Sequence, residues 1–269
     1  MAKNQQKDMS FLEHLEELRW HIVRCILFIL VFAILAFIFN EIIFDRIIIA
    51  PKTPGFFTNR LLCLLGTKVN IKALCINSVP FNIININMAG QFTTHIMVSI
   101  IAGFIIAFPY IFYEFWRFMR PAMYQKEKHY SKGAVFFSSL LFLLGILFGY
   151  FVIVPLSVHF LGSYQVSEEV VNQINLISYI STVASITLAS GIIFELPILV
   201  YFLTKIGLVT PEFLKKYRKH SLIAVLALAA IITPPDIFSQ VLVCLPLLAL
   251  YEIGIVISRK IKEKEQASS

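Results

Sequence analysis

The stretch GAVFFSSLLFLLGILFGYFVIVPLSV, residues 133–158, decides the fold, because it contains no Asp, Glu, Lys or Arg. A helix that crosses a bilayer needs about 20 consecutive, mostly apolar residues, and this stretch exceeds that length. The remaining sequence agrees: 58% of the 269 residues are hydrophobic and 14% are charged, against about 25% charged in ordinary soluble domains. Composition therefore excludes a soluble enzyme, a disordered protein and a secreted disulfide scaffold, and it predicts a polytopic membrane protein.

Five more apolar segments flank this stretch, and together they predict an all-α membrane helix bundle of six transmembrane helices in a single integral membrane domain, 1–269. The predicted spans are 20–40, 92–113, 133–158, 176–204, 217–234 and 237–257, with a loop at 41–91 and a tail at 258–269. The uncharged parts of the last two are short, since fifteen helical residues reach only about 22 Å of a hydrocarbon core of about 30 Å. Four spans and a re-entrant hairpin are the alternative to six spans.

The distribution of basic residues predicts the orientation. Eighteen of the 23 Lys and Arg residues lie near the N-terminus, in the segments 114–133 and 205–219, or after the last span; the other five lie in the loop 41–91. Both termini are therefore expected in the cytoplasm, with an even number of crossings. The N-terminus is too acidic for a signal peptide. The net charge of +7 includes no basic run interleaved with exposed aromatic residues, so nucleic acid is not an expected partner.

An amphipathic helix is expected to lead into the first span. Ser10 and Glu13 have the spacing of a capping box. Across one helical turn, Glu16 can pair with Arg19 and Glu17 with His21. The role of Glu17 stays open, because a group of acids on the positive side of a membrane is less expected.

Glu195 interrupts the fourth span, and an ionisable residue inside a membrane is a functional candidate by default. Pro197 removes the amide hydrogen that the Ile193 carbonyl would bind, so the helix is expected to bend and open toward Glu195. The alternative is a protonated, hydrogen-bonded glutamate that only joins helices. As a functional group, it could serve as the proton or cation site of a secondary transporter for an ion or small solute. That alternative function would require a second, matching broken helix, which the sequence lacks.

Six motifs in chain order resemble those of the TatC family, the multispanning subunit of the twin-arginine protein translocase. They are 14–19 (HLEELR), 50–51 (AP), 115–127 (FWRFMRPAMYQKE), the third-span residues Gly145, Phe148, Tyr150, Pro155 and Leu156, then 194–197 (FELP) and 233–240 (TPPDIFSQ). The resemblance covers about residues 10 to 258. It departs from the family at Trp20 and His21, where one or two basic residues are usual.

The resemblance implies a translocase subunit of the bacterial inner (cytoplasmic) membrane, with lipid around it and no enzymatic activity or cofactor. Such a subunit binds twin-arginine signal peptides at its cytoplasmic face and, in an oligomeric complex with single-span TatA- and TatB-type partners, transports folded proteins. No HExxH, GxSxG or Walker A pattern or metal-ligand motif occurs in the sequence.

The resemblance also assigns residues to the peptide site. It implies that Glu17 and Glu127 recognise the paired arginines, with Arg19 and Phe118 beside them; without it, Glu127 would read as a solvated residue between lysines. Phe118 could pack against the peptide's apolar flank or anchor the membrane interface.

Three further residues become candidates for intramembrane roles beside Glu195: Tyr150, Asp236 and Gln240. Without the family, Tyr150 would read as a packing residue and Asp236 as a residue that shapes the Pro-Pro turn.

Cys63 and Cys75 lie in the loop 41–91, which the charge distribution places outside the cytoplasm, where disulfides persist. Their separation is compatible with a disulfide that closes a small loop. Two packing cysteines are an equal alternative.

Overall fold

The structure is a computed structural model that describes residues 11–71, 74–76, 81–119, 131–167, 169, 172–232 and 237–266. Helices dominate it, which confirms the predicted all-α membrane class. The elements are α1 (Phe11–Ile38), a first π-helical segment (Ile42–Ile48), a 3-10 turn (Ala50–Lys52), α2 (Phe57–Val69), β1 (Ile83–Ile84), α3 (Gly90–Met119), α4 (Ser131–Phe148), a second π-helical segment (Gly149–Ile153), α5 (Val154–Ser163), β2 (Ile174–Asn175), α6 (Leu176–Phe194), α7 (Leu196–Lys205), α8 (Pro211–Lys216), α9 (Arg218–Ile232) and α10 (Ile237–Gln266).

Five helical stretches of the described chain are long and apolar enough to cross a membrane. They are Leu15–Ile38, Gly90–Met119, Gly133–Ser163, Leu176–Lys205 and Gln240–Glu263. These stretches correspond to five of the predicted spans. The sixth, at 217–234, corresponds to α9, whose 15 residues make it as short as expected.

The last helix corrects one expectation. The sequence predicts a final span that ends at residue 257, whereas α10 comprises 30 residues and ends at Gln266. Within this helix, the carboxylate of Glu252 is paired with Arg218 of α9. Beyond it, Arg259 and Glu263 pair one turn apart at 2.8 Å, so charged residues extend the helix through ion pairs along its surface.

The chain divides into two compact units, of which the first comprises Met1–Ile38 and Ser99–Ser139. In this unit α1 packs closely against the C-terminal part of α3. A side chain at Gly103 would place its Cβ 2.7 Å from the backbone nitrogen of Ala33 and 2.8 Å from the carbonyl oxygen of Ile29. Glycine therefore permits the contact between the two helices, as small residues do in membrane helix pairs.

The second unit comprises Phe39–Val98 and Leu140–Ser269 and contains the larger apolar core. Buried residues of the second π-helical segment, α5, α6, α9 and α10 contribute to this core, among them Ile153, Ile180, Ala229 and Leu247. The parallel strands β1 and β2 pair Ile83 with Ile174 and Ile84 with Asn175. This pairing fixes the loop that precedes α3 to the loop that precedes α6.

Candidate functional site

The N-terminal turns of α1 carry one ion pair and one glutamate–histidine contact, both at the spacing of one helical turn. Glu16 Oε1 lies 3.8 Å from Nη2 of Arg19, and both side chains are exposed. Glu17 Oε1 lies 4.0 Å from Nε2 of His21, one turn further along the helix. The expected pairing of Glu16 with Arg19 is confirmed, and Glu17, whose role the sequence leaves open, faces His21. Arg19 also places its guanidinium 5.6 Å from the ring centre of Trp20, so its charge lies at the surface of this helix.

Glu114 of α3 is buried, with 2% of its side chain exposed. Its Oε2 is hydrogen-bonded to Nδ1 of His21 and lies 3.8 Å from Nη1 of Arg24. Its Oε1 accepts a hydrogen bond of 2.8 Å from the hydroxyl of Tyr110. An uncompensated buried carboxylate costs several kcal/mol, so these partners are what allow a glutamate at this position. We call Glu17, His21, Arg24 and Glu114 the charge cluster.

The charge cluster does not follow from the sequence pattern, which ends the second span at residue 113 and places Glu114 in a loop. The structure continues α3 to Met119, which places Glu114 within an apolar helix rather than after it. The sequence does contain one signal that Glu114 lies within the helix. Phe115 and Trp116 extend the apolar sequence beyond Glu114, and an ionisable residue enclosed on both sides by apolar helix calls for partners.

Two of the predicted site residues, Phe118 and Glu17, lie next to His21. The ring of Phe118 contacts the ring of His21 in an edge-on arrangement, with ring centres 5.9 Å apart. Glu17 faces the other nitrogen of the same imidazole. Glu127, the second predicted carboxylate, lies outside the described residues, as does the whole segment 120–130.

Glu195 lies where the predicted break occurs. The fourth span is divided into α6 and α7 at Glu195, and Pro197 stands in the first turn of α7. The Glu195 amide donates to the carbonyl of Ile192 at 3.1 Å, three residues back, rather than continuing the α-helical pattern. The prediction of an interrupted helix is therefore confirmed, and the carboxyl group is half-buried at the interruption.

Tyr150 has a specific partner in the second unit. Its hydroxyl donates a hydrogen bond of 2.7 Å to the carbonyl of Ile47. Proline at position 51, four residues after Ile47, has no amide hydrogen to offer that carbonyl, so the tyrosine supplies the missing donor. Tyr179 also donates to a carbonyl of this segment, that of Ile48, at 2.9 Å and in a buried position.

The second π-helical segment, which provides the donor Tyr150, also contains a carbonyl that accepts such a bond. Pro155 cannot donate to the carbonyl of Phe151, four residues earlier, and the hydroxyl of Thr58 in α2 donates to that carbonyl instead. Pro51 and Pro155 thus each leave a carbonyl that a hydroxyl from a distant part of the chain satisfies. We call the three bonds from Tyr150, Tyr179 and Thr58 the hydroxyl clasp.

The remaining predicted site residues lie at α10 and just before it. Gln240 donates from Nε2 to the carbonyl of Leu226 in α9 at 3.4 Å, which ties the two helices together. Asp236 lies outside the described residues, together with the rest of the Thr233–Asp236 connector.

Cys63 and Cys75 form a disulfide, the first of the two alternatives that the sequence left open. The bond joins α2 to the segment that follows it. The carbonyl of Gly66 in α2 also accepts a hydrogen bond of 2.9 Å from the amide of Ile71 in that segment. Among the described residues, Cys25 and Cys244 are free. No group of three or more potential metal ligands occurs in that part of the chain.

Comparisons with known proteins agree along nearly the whole chain. The family model TatC, described as Sec-independent protein translocase protein, matches residues 13–246. A Sec-independent protein translocase protein TatC of Blattabacterium sp. subsp. Periplaneta americana (strain BPLAN) is 40% identical over 265 residues, covering 98% of this chain and 100% of the relative. Its namesake in Aquifex aeolicus (strain VF5) is 36% identical over 264 residues, covering 96% and 100%.

Solved structures show the same similarity. A crystal structure described as the twin arginine translocase receptor TatC superimposes with a TM-score of 0.67 at 34% identity, covering 92% of this chain and 98% of the other. A second crystal structure of that receptor, in DDM, gives a TM-score of 0.71 at 34% identity, covering 91% and 99%.

Proposed function

Because the chain belongs to the TatC family of Sec-independent protein translocase proteins, we propose that it binds twin-arginine signal peptides through Glu17 and Glu127. The solved relatives are described as twin arginine translocase receptors, which supports the ligand class. The observation that carries the proposal is Glu17 itself. Its Oε2 is shielded from solvent and has no hydrogen-bond partner among the described residues, so this carboxylate retains the capacity to accept one.

The chemistry of the ligand fits two carboxylates. Each arginine presents a planar, permanently charged fork that a carboxylate accepts through two parallel hydrogen bonds. Two arginines therefore require two carboxylates at a fixed separation, and Glu17 and Glu127 are the pair we assign. Lysine is a point charge without the fork, so a peptide with two lysines should bind more weakly.

Arg19 and Phe118 complete the proposed site. The exposed guanidinium of Arg19 offers donors for the carbonyl groups of the peptide. Phe118, which contacts His21, offers an aromatic face for the apolar residues that flank the arginine pair.

Titration of the purified protein with a labelled twin-arginine peptide tests the assignment. Glu17→Gln and Glu127→Gln should each lose a charge-assisted contact of about 1.5–3 kcal/mol, which weakens binding about tenfold or more. Glu13→Gln is the matched control and should bind like the wild type, because Glu13 lies one turn before Glu17 on the same helix and is assigned to capping of that helix rather than to the peptide. Wild-type affinity in the Glu17→Gln, Glu127→Gln double variant would end the assignment.

We further propose six spans, with both termini in the cytoplasm of a bacterium and the chain in its inner membrane. The bias of Lys and Arg supports this orientation, and α9 provides a sixth, short helix beside the five longer ones. Reporter tags at Gln125 and Ser269 should face the cytoplasm, and tags at Lys68 and Glu168 the opposite side. A cytoplasmic signal at Glu168 would contradict six spans.

We assign Glu195 to a step after peptide recognition, in complex with single-span TatA- and TatB-type partners. A carboxyl group at a helix interruption can accept a hydrogen bond from a polar residue of a partner helix. Glu195→Gln should therefore impair export of a folded cargo while leaving peptide affinity unchanged. A parallel loss of peptide affinity would assign Glu195 to recognition instead.

A further inference from the structure

His21 has two carboxylate neighbours, one on each ring nitrogen. Nδ1 is hydrogen-bonded to the buried Glu114, and Nε2 faces Glu17 at 4.0 Å. Arg24 lies 3.8 Å beyond Glu114. The four ionisable side chains thus form one connected series with His21 and Glu114 buried in its middle, in which each carboxylate neighbours a basic side chain.

Burial of Glu114 explains only part of this series. Its carboxylate needs donors, and His21, Arg24 and Tyr110 provide them. The need of Glu114 for donors does not explain why Nε2 of His21 faces Glu17. A histidine that served Glu114 alone could be replaced by any residue that donates from the position of Nδ1.

The orientation of His21 is fixed from two sides. Glu114 is 2% exposed and cannot move without losing its partners. The ring of Phe118 lies against the imidazole edge-on. Nε2 is therefore held toward Glu17, 4.0 Å from one of its carboxylate oxygens, while the other, Oε2, has no hydrogen-bond partner among the described residues.

We infer that His21 and Glu114 are positioning residues of the signal-peptide site, which hold the Glu17 carboxylate in the orientation that accepts an arginine fork. The inference rests on the proposed function, since it requires Glu17 to bind the peptide. A glutamate side chain that is already oriented loses less conformational freedom on binding than one that is free. His21 and Glu114 do not touch the peptide and act only through Glu17.

Asparagine at position 21 separates this role from support of the fold. The amide nitrogen of asparagine and Nδ1 of histidine are both bonded to Cγ, so His21→Asn keeps a donor for Glu114. It removes the ring nitrogen that faces Glu17. Glu114→Gln is the second variant, since it keeps the shape of the side chain but removes the charge that anchors His21.

The experiment is a double-mutant cycle in peptide affinity, with the full-length protein in detergent and a labelled twin-arginine peptide. Residues of one network alter each other's effects by roughly twofold to over a hundredfold, and the 4.0 Å contact suggests a value near the lower end. We expect His21→Asn and Glu114→Gln each to weaken binding about fivefold in the wild-type background and to have no effect in the Glu17→Gln background. His220→Asn, the same substitution at an exposed histidine of α9, should bind like the wild type.

The alternative outcomes are distinct. Wild-type affinity in His21→Asn would overturn the inference, and so would an equal loss in both backgrounds, because the residues would then not act through Glu17. If Glu114→Gln does not fold, His21→Asn decides alone, since it leaves Glu114 paired. Should Glu17→Gln itself bind like the wild type, the proposed function fails and this inference fails with it. If Glu17→Gln weakens peptide binding as expected but His21→Asn does not, the inference is overturned and the proposed function stands.

Discussion

The hydroxyl clasp leads to a graded prediction about stability. Tyr179→Phe removes the hydroxyl that donates to the carbonyl of Ile48 at 2.9 Å and retains the ring. Tyr179 is 4% exposed and Ile48 is 7% exposed, so water cannot replace the lost donor. An unsatisfied buried acceptor costs about 1–3 kcal/mol, and we expect the free energy of unfolding to fall by about 2 kcal/mol.

Tyr150→Phe should cost less, although it has the same chemistry. The bond from Tyr150 to the carbonyl of Ile47 is solvent-accessible, so water can take over part of the lost hydrogen bond. We expect a loss of about 1 kcal/mol, the usual net value of one hydrogen bond. The ring contacts with Phe56 and Phe151, at 5.5 and 4.9 Å between ring centres, persist in the variant.

The assay is reversible unfolding in detergent by a denaturant such as SDS, followed by tryptophan fluorescence. Tyr164→Phe is the matched control, because Tyr164 is 61% exposed and its hydroxyl has no hydrogen bond within the described residues. The expected order of destabilisation is Tyr179 first, Tyr150 second and Tyr164 near zero. Equal effects of all three substitutions would refute the reasoning, since the cost would then not depend on how deeply the accepting carbonyl is buried.

Three further predictions concern packing, covalent structure and pH. Gly103→Leu should destabilise the protein by about 1–3 kcal/mol through overpacking, whereas Gly133→Leu, with no neighbouring atoms within 4 Å, should be neutral in the same unfolding assay. The Cys63–Cys75 disulfide should leave both residues unalkylated before reduction in mass spectrometry, and its removal should cost about 3 kcal/mol for a loop of this length; two alkylated thiols would reject the bond. The hydrogen bond from a lysine of α10 holds the pKa of Glu212 below its ordinary value. That stabilisation is present above the pKa of the unfolded chain and is lost as the pH falls through the folded pKa, so Glu212→Gln should flatten the acid limb of a stability–pH profile.

Local rules predicted the features that depend on neighbouring residues. The interruption at Glu195 follows from Pro197, two residues away, and the pairings of Glu16 and Glu17 follow from helical spacing. Each of these features requires only the geometry of one helix. The sequence therefore predicted them without knowledge of the tertiary structure.

Features that depend on contacts between distant residues were missed. Glu114 is a buried residue because His21, 93 positions away, supplies a donor, and no local pattern contains that information. The pair between Arg218 of α9 and Glu252 of α10 is likewise invisible to a local pattern. Charge at Glu114 ended the second span too early in the sequence-based prediction, because two of the partners of that carboxylate lie on α1.

The hydroxyl clasp imposes an order on biosynthesis. The carbonyls of Ile47 and Ile48 emerge from the ribosome 103 and 131 residues before the tyrosines that satisfy them. At about 5–20 residues per second, the Ile47 carbonyl waits roughly 5–20 s for Tyr150. Unsatisfied carbonyls are costly in hydrocarbon but not in water. During that interval, residues 47–51 must therefore remain in the aqueous phase, and the nascent segment can close onto the bundle only after the helices that carry both tyrosines have been inserted.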